Sequence, residues 1–290
     1  MSTSVSESSE PVSFNEAIEA VMPRLEEMKK NLRGAPTASR SSVEKLISMS
    51  PNLPDSFVKQ TPVPTANPIP AKHSPTPPPA IDDGRLEKLA SLKKQILSCA
   101  RCPNLVSSRT QVVYGVGNPF AELLFVGEAP GEEEDLRGEP FVGKAGQLLT
   151  KIIGAMEYTR EDVFIANILK CRPDMPPGES GNRKPKPAEM ATCLPWLTRQ
   201  IDLIKPRVIV ALGLTAVEGL LGEARTMRDV RGKWLDYHGV PLMPTYHPAY
   251  LLRNQTLAEK RKVWEDMLLV LEKLARPISE KQRGYFLEKA

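Results

Sequence analysis

The chain has 290 residues and a formal net charge of +4, length enough for one sizeable α/β domain with an appendage. No apolar run reaches the length of a membrane span, and Met1–Pro11 is Ser- and Glu-rich without an apolar segment, which excludes a secretory signal and predicts a cytoplasmic protein with no membrane partner. Residues 1–83 hold 8 basic and 10 acidic side chains, so the positive excess falls on the remainder, a balance compatible with a polyanion partner.

Phe14, Ala17, Ile18, Val21, Met22, Leu25, Met28 and Leu32 recur at helical spacing and predict a short helix over 13–33, broken or kinked at Pro23. Such a helix either docks on the main domain or binds an unknown protein on a tether. Ten prolines fall between Pro51 and Pro79. They predict a disordered linker over 35–83, which buries too little apolar area to offset its ordering entropy. Together these make an N-terminal extension, 1–83.

The folded domain is expected over 84–275, with a C-terminal tail over 276–290. Leu86, Leu89, Leu92, Ile96 and Leu97 mark its first helix, which runs into Cys99 and Cys102. Val112–Tyr114 reads as an edge strand. Leu123–Val126 is a short apolar run and reads as the first central strand, broken by Gly127, Pro130 and Gly131. A helix over Gly146–Met156 and a strand over Val163–Leu169 follow. A Pro-rich loop, Pro173–Pro187, leads into a helix through Met190, Leu194, Leu197 and Ile201. Pro206–Leu212 and Val240–Tyr246 are further strands, with a helix over Thr215–Leu221 between them and a long helix over Leu257–Leu274 after. Strands alternating with helices argue a mostly parallel sheet covered on both faces.

The four cysteines are Cys99, Cys102, Cys171 and Cys193, with 2, 68 and 21 residues between successive members. In a cytoplasmic chain they point to metal or chemistry rather than disulfides. Four thiolates from two parts of the chain can form a tetrahedral set, suited to a [4Fe–4S] cluster or a structural Zn²⁺. Spacing leaves both open.

In a parallel sheet the loops after Gly127, Asn167 and Tyr246 point the same way, and open α/β folds place their sites there. They bring together Glu128, Asn167 and His247, with Phe141 from the continuation of the first loop. The aromatic ring can stack on a planar base, the amide can pair with its polar edge, and the imidazole can stabilise developing negative charge. The carboxylate can position water or support a cation. Glu132–Asp135 reads as an acidic helix start rather than four catalytic carboxylates.

The stretches GEAPGEEED (127–135), GEPFVGKAGQLL (138–149), Asn167 with KCRP (170–173), and HPAYLLR (247–253) together resemble the family 4 uracil-DNA glycosylases, over about residues 90 to 270. The resemblance implies a three-layer αβα sandwich with a central, mostly parallel four-stranded sheet. It implies a [4Fe–4S] cluster on the four cysteines, with Zn as the alternative. It also implies monofunctional excision of uracil from DNA, whether U:G, U:A or single-stranded, leaving an abasic site. By motif position Phe141 stacks on uracil, Asn167 reads its polar edge, and His247 sits near O2. Gly127 and Ala129 line the pocket. Glu128 takes the position tied to catalysis, with Glu134 and Asp135 as second choices. Leu251 or Leu252 would fill the space left in the DNA stack, and Arg253, Arg183 and Lys184 would contact DNA. A sister branch traps the freed sugar through a histidine in an inserted loop. The matching loop here holds no histidine, so turnover is expected, with a non-turnover binder or covalent trap as the alternative. The site needs one chain, which predicts a monomer.

Overall fold

The computed structural model describes residues 83–287 apart from Pro177 and Ala224, so the expectations for the helix over 13–33 and for the linker before Asp83 lie outside the described residues. The order is α1 (Arg85–Leu97), α2 (Pro103–Ser108), β1 (Val116–Gly117), β2 (Leu123–Gly127), α3 (Glu132–Arg137), α4 (Lys144–Ala155) and β3 (Phe164–Asn167). Then come α5 (Pro187–Ile204), β4 (Val208–Leu212), α6 (Leu214–Leu221), α7 (Met227–Val230), β5 (Leu235–Tyr237) and β6 (Val240–Thr245). The described chain closes with α8 (Pro248–Arg253), α9 (Leu257–Lys273) and α10 (Glu280–Arg283). Among the described residues no helix is long and apolar enough to cross a membrane.

The sheet runs β1-β3-β2-β4-β6-β5. Its four central strands are parallel, as the alternating pattern requires, while the short outer strands β1 and β5 pair antiparallel to β3 and β6. Both edges are therefore longer by one strand than the four-stranded expectation. The edge strand is Val116–Gly117 rather than Val112–Tyr114. Those three residues are buried, and Val113 spends its N–H on the carbonyl of Lys170 at 2.8 Å, beyond the end of β3.

Every residue of β2, β3 and β4 is buried, which is why these strands read as unbroken apolar runs. Leu124 and Val126 of β2 enter a core with Leu92 and Ile96 of α1, Leu197 and Ile201 of α5, and Val217 of α6. Leu123 and Phe125 face the opposite core, with Leu149 and Ile153 of α4 and Trp264, Met267 and Val270 of α9. The result is an αβα sandwich with two separate hydrophobic layers.

The chain goes from β2 to β3 on one side, then crosses back to β4 on the other. That reversal makes a crevice at the carboxyl ends of the strands, where open α/β sheets bind ligands. Past residue 275 the chain packs back on the domain. Gln282 is buried, its carbonyl accepts Trp264 Nε1 at 2.6 Å, and its Nε2 donates to the carbonyl of Ala155 at 3.0 Å.

Candidate active site and cysteine cavity

Four strand ends supply the site. Gly127 and Asn167 are register partners at the ends of β2 and β3. Pairing continues beyond them, Ile168 N–H to Gly127 O at 3.0 Å and Leu169 N–H to Glu128 O at 3.1 Å. A Cβ at Gly127 would overlap both the Asn167 Oδ1 and the Phe141 ring, so glycine is what lets amide and ring meet over the strand end. Gly213, after β4, has φ of 91°, and a Cβ there would lie 3.0 Å from the Cβ of His247. It gives His247 room to lie across the end of β4.

Asn167 is only 3 % exposed, and Oδ1 is buried without a hydrogen-bond partner among the described residues. Leaving such a group unpaired costs about 1–3 kcal/mol, so an unspent amide at the end of a buried strand marks a place for a polar ligand. Phe141 is buried and holds φ of 55°, a conformation that L side chains seldom adopt. Two devices keep it there. Glu134 Oε1 accepts the N–H groups of Val142 and Gly143 at 2.9 and 3.0 Å. Arg160 donates to the carbonyls of Pro140 and Phe141 at 2.9 and 3.2 Å.

The Phe141 and His247 rings stand 5.7 Å apart between centroids, tilted by 33°. His247 caps α8: its Nδ1 accepts the Ala249 N–H at 3.1 Å. An accepting nitrogen carries no proton, so the neutral ring holds its proton at Nε2. Burial, aided by the charge of Arg253, lowers the His247 pKa to about 4 against the opposing pull of Glu134. The imidazole is thus a neutral donor throughout the physiological range.

Glu128 is partly buried, and burial raises its pKa, with Thr215 and Lys184 pulling the other way. Ala129 is partly buried and packs against the core on the α5 side of the sheet. The two second-choice carboxylates are spent on backbone. Glu134 Oε2 also accepts the Gly131 N–H at 3.1 Å, and Asp135, 2 % exposed, accepts the Thr110 N–H at 2.8 Å.

Of the residues expected at the DNA, the structure exposes some and consumes others. Leu252 is 37 % exposed and Arg253 is exposed, but Leu251 is buried at 4 %. Of the two leucines only Leu252 faces outward. Lys184 is exposed. Arg183 instead closes the 173–187 loop on itself through Asp174 and Glu189, and its Nε donates to the carbonyl of Asp174 at 2.6 Å. Its guanidinium is committed before any phosphate arrives.

The four cysteines come from four places: after α1, the start of α2, after β3, and inside α5. All line one cavity, together with Arg109, Lys170 and Trp196. Arg109 donates to Cys171 Sγ at 2.9 Å and to the Cys99 carbonyl at 2.8 Å, and Trp196 Nε1 donates to Cys99 Sγ at 3.4 Å. Burial raises the pKa values of Cys102 and Cys171 and pushes that of Cys193 to about 11. The thiols also raise one another, which reflects their shared space. Among the described residues no three His, Cys, Asp or Glu side chains gather closely enough to hold a single metal ion.

Two participants carry little local signal. Arg160 follows a surface turn and Thr215 opens α6, and neither has a motif of its own. Lys170 does have one: a lysine at the end of the apolar run VFIANIL, where no exposed face is available to it.

In this mostly parallel αβα sandwich an amide, an aromatic ring and a neutral imidazole converge at a strand-end crevice, a set of groups able to receive a planar, polar ring. The family model of the uracil DNA glycosylase superfamily matches residues 114–268. A type-4 uracil-DNA glycosylase of Thermotoga maritima is 44 % identical over 185 residues, 63 % of this chain and 93 % of that protein. One of Archaeoglobus fulgidus is 42 % identical over 183 residues, 60 % of this chain and 88 % of that protein. A type-5 uracil-DNA glycosylase of Pyrobaculum aerophilum is 30 % identical over 204 residues, 57 % of this chain and 87 % of that protein. The chain belongs to the uracil-DNA glycosylase superfamily, in its type-4 family.

Proposed function

We propose that the protein is a DNA-repair glycosylase that hydrolyses the N-glycosidic bond of uracil in DNA and releases free uracil, leaving an abasic site. The observation that carries this reading is the buried, unspent amide of Asn167 set against Phe141 and His247. An enzyme acting on a base must take it out of the stack and read its polar edge in a closed pocket. Phe141 supplies the stacking face, Asn167 pairs with the ring edge, and Gly127 keeps the floor open. As the C1′–N1 bond lengthens, negative charge gathers on uracil O2. A neutral Nε2–H can stabilise it without giving up its proton. The sugar gains positive charge, which Glu128 and the DNA phosphates oppose, and water adds to C1′.

Leu252 is the outward residue suited to fill the vacated stack, with Arg253 and Lys184 placed for phosphate contact. Among the described residues no lysine hydrogen-bonds the side chain of Glu128, Asn167 or His247, so the reading is monofunctional. The 173–187 loop has no histidine, so it offers no trap for the sugar.

The cysteine cavity fits a [4Fe–4S] cluster. Four soft donors surround one space, and the cations Arg109 and Lys170 line it. Thiols spread around a cavity suit a multi-iron group better than one Zn²⁺, which needs all four sulfurs at about 2.3 Å. The cluster would act structurally, tying α1, α2, β3 and α5 together. The same reading carries a monomer in the cytoplasm.

The test is uracil release from a U:G oligonucleotide with DNA in excess, alongside iron content and visible absorption. Free uracil should exceed the enzyme present, and His247→Gln should lower kcat by about 100- to 1000-fold. Uracil retained on a DNA-bound protein, with none free in solution, overturns the turnover reading.

A further inference from the structure

Helix α9 buries Trp264, Met267, Val270 and Leu271 in the core, and with them one carboxyl group, that of Asp266. Its Oδ2 accepts the Thr245 hydroxyl at 2.7 Å, and its Oδ1 accepts Arg231 Nη1 at 2.9 Å. Burial raises the Asp266 pKa to about 6, with Thr245 and Arg231 pulling the other way, so the group is ionised at neutral pH. A buried ion pair adds little net stability over apolar side chains of the same volume, so stability alone does not account for it. Both partners lead to the site. Thr245 is fully buried and ends β6, two residues before His247. Its carbonyl accepts the N–H of Gly213, the glycine that gives His247 its room, at 2.8 Å. Hydroxyl and carbonyl are both taken, so the strand end is held on two sides. Arg231 also donates to the Lys262 carbonyl at 2.8 Å, and its Cζ lies 5.9 Å from the centre of the Tyr246 ring. Tyr246 stacks on Tyr250 of α8, 4.4 Å between centroids and tilted by 20°, and Tyr250 Oη donates to Glu259 at 3.1 Å. Glu259, Lys262 and Asp266 recur at helical spacing along one side of α9 and line up beside residues 245–250.

We propose that Asp266 is a positioning residue for uracil excision: through Thr245 it fixes the strand end that carries His247, and through Arg231 it fixes the tyrosine stack that seats α8 and Leu252. This rests on the glycosylase reading and deepens it. The imidazole must stand within hydrogen-bond reach of uracil O2 as charge gathers there, and a misplacement of about 1 Å costs on the order of 100-fold in rate. Leu252 matters where a duplex stack has to be filled, and less where the strand is single.

The experiment compares two full-length variants well below their unfolding transitions. Thr245→Val removes the hydroxyl and keeps the shape, and Thr245→Ser keeps the hydroxyl. On a U:G oligonucleotide the valine variant should lose kcat by about 10- to 100-fold with KM within about threefold of wild type. The serine variant should keep kcat within about threefold. Glu122→Gln, which loosens the opposite end of the sheet, should leave kcat unchanged and so separates positioning from lost stability. Arg231→Lys keeps a charge opposite Asp266 but loses the flat fork over Tyr246. It should lower kcat/KM about fivefold more on duplex U:G than on single-stranded uracil. In NMR spectra of the protein without DNA, the His247 ring signals should move in Thr245→Val and hold in Thr245→Ser. Equal kcat values in the valine and serine variants overturn the proposal, as do unmoved His247 signals in Thr245→Val or equal losses on the two substrates in Arg231→Lys. Should Thr245→Val not fold, the two substrates in Arg231→Lys decide. If wild-type protein releases no uracil, the glycosylase reading has failed, and the His247 signals still decide whether Asp266 positions the ring.

Discussion

The two ends of the central sheet are built to opposite rules. At the amino end, Glu122 precedes β2 and accepts from Tyr158 Oη at 2.6 Å, Arg207 at 3.1 Å and Arg276 Nε at 2.9 Å. Burial alone would raise its pKa. The hydrogen bonds from Tyr158, Arg276 and Arg207 outweigh burial and hold it below the usual carboxylate range. Both of its carboxylate oxygens are paired. At the carboxyl end, Asn167 has an unspent oxygen, Phe141 sits at positive φ, and Lys170 is buried with one oxygen acceptor. A fold tolerates such local costs only where the rest of the structure fixes them, and they collect where a ligand will complete the set. The amino end holds the sheet together, and the carboxyl end is kept ready for what it binds.

The sharpest way to break this contrast is to alter one residue at each end and read both stability and activity. Asn167→Ala should lower kcat/KM for uracil excision by about 100- to 1000-fold. Its melting temperature should stay within about 2 °C of wild type, since the amide oxygen has no protein partner to lose. A large fall in melting temperature would instead make Asn167 part of the scaffold.

Glu122→Gln should do the reverse. It weakens a partly buried set of charged hydrogen bonds and should cost about 2 kcal/mol, a figure that allows for Arg207 being more than half exposed. For a domain of this size that is a fall of about 4–8 °C. Excision at a temperature well below the transition should be unchanged. Lost activity there would mean that the two ends are coupled.

The smallest effect concerns pH. The folded pKa of His247 lies near 4, against an ordinary value of 6.5. Between those values the unfolded chain takes up a proton that the folded one refuses, so stability from this group rises with pH across that window and is lost as pH falls. In His247→Gln that contribution to the slope should disappear in denaturation curves taken from pH 4 to 7. The ring signals of His247 in wild-type NMR spectra should not titrate between pH 8 and 5. A midpoint near 6.5 would show that the ring is solvated and that its neutral state is not built in.

The pattern of residues was legible wherever it was local. Short apolar runs bounded by glycine and proline marked β2 and β3, because strands buried on both faces need no alternation. The strand-end residues Glu128, Asn167 and His247 followed from the parallel order, and the acidic run 132–135 proved a helix start. Contacts between residues far apart in the chain were not legible. Arg183 reads as a free cation until Asp174 and Glu189 close on it. Leu251 and Leu252 look alike until α8 is seated, one inward and one outward. Arg160 has no reason to be near Phe141 except that the turn after α4 returns it there.

By itself the sequence determined the α/β class, the order of the central elements, the strand ends where a site could form, and the number of thiols on hand. These depend on periodicity and on backbone rules that act within a few residues. Only the tertiary structure decided which polar groups are spent and which are free. That Asn167 keeps an unpaired oxygen, that Glu134 serves backbone rather than substrate, and that the buried Lys170 sets its ammonium on the Asn167 carbonyl depend on packing across the sheet. Desolvation and hydrogen-bond pairing are properties of neighbours in space, and the chain order does not list those neighbours.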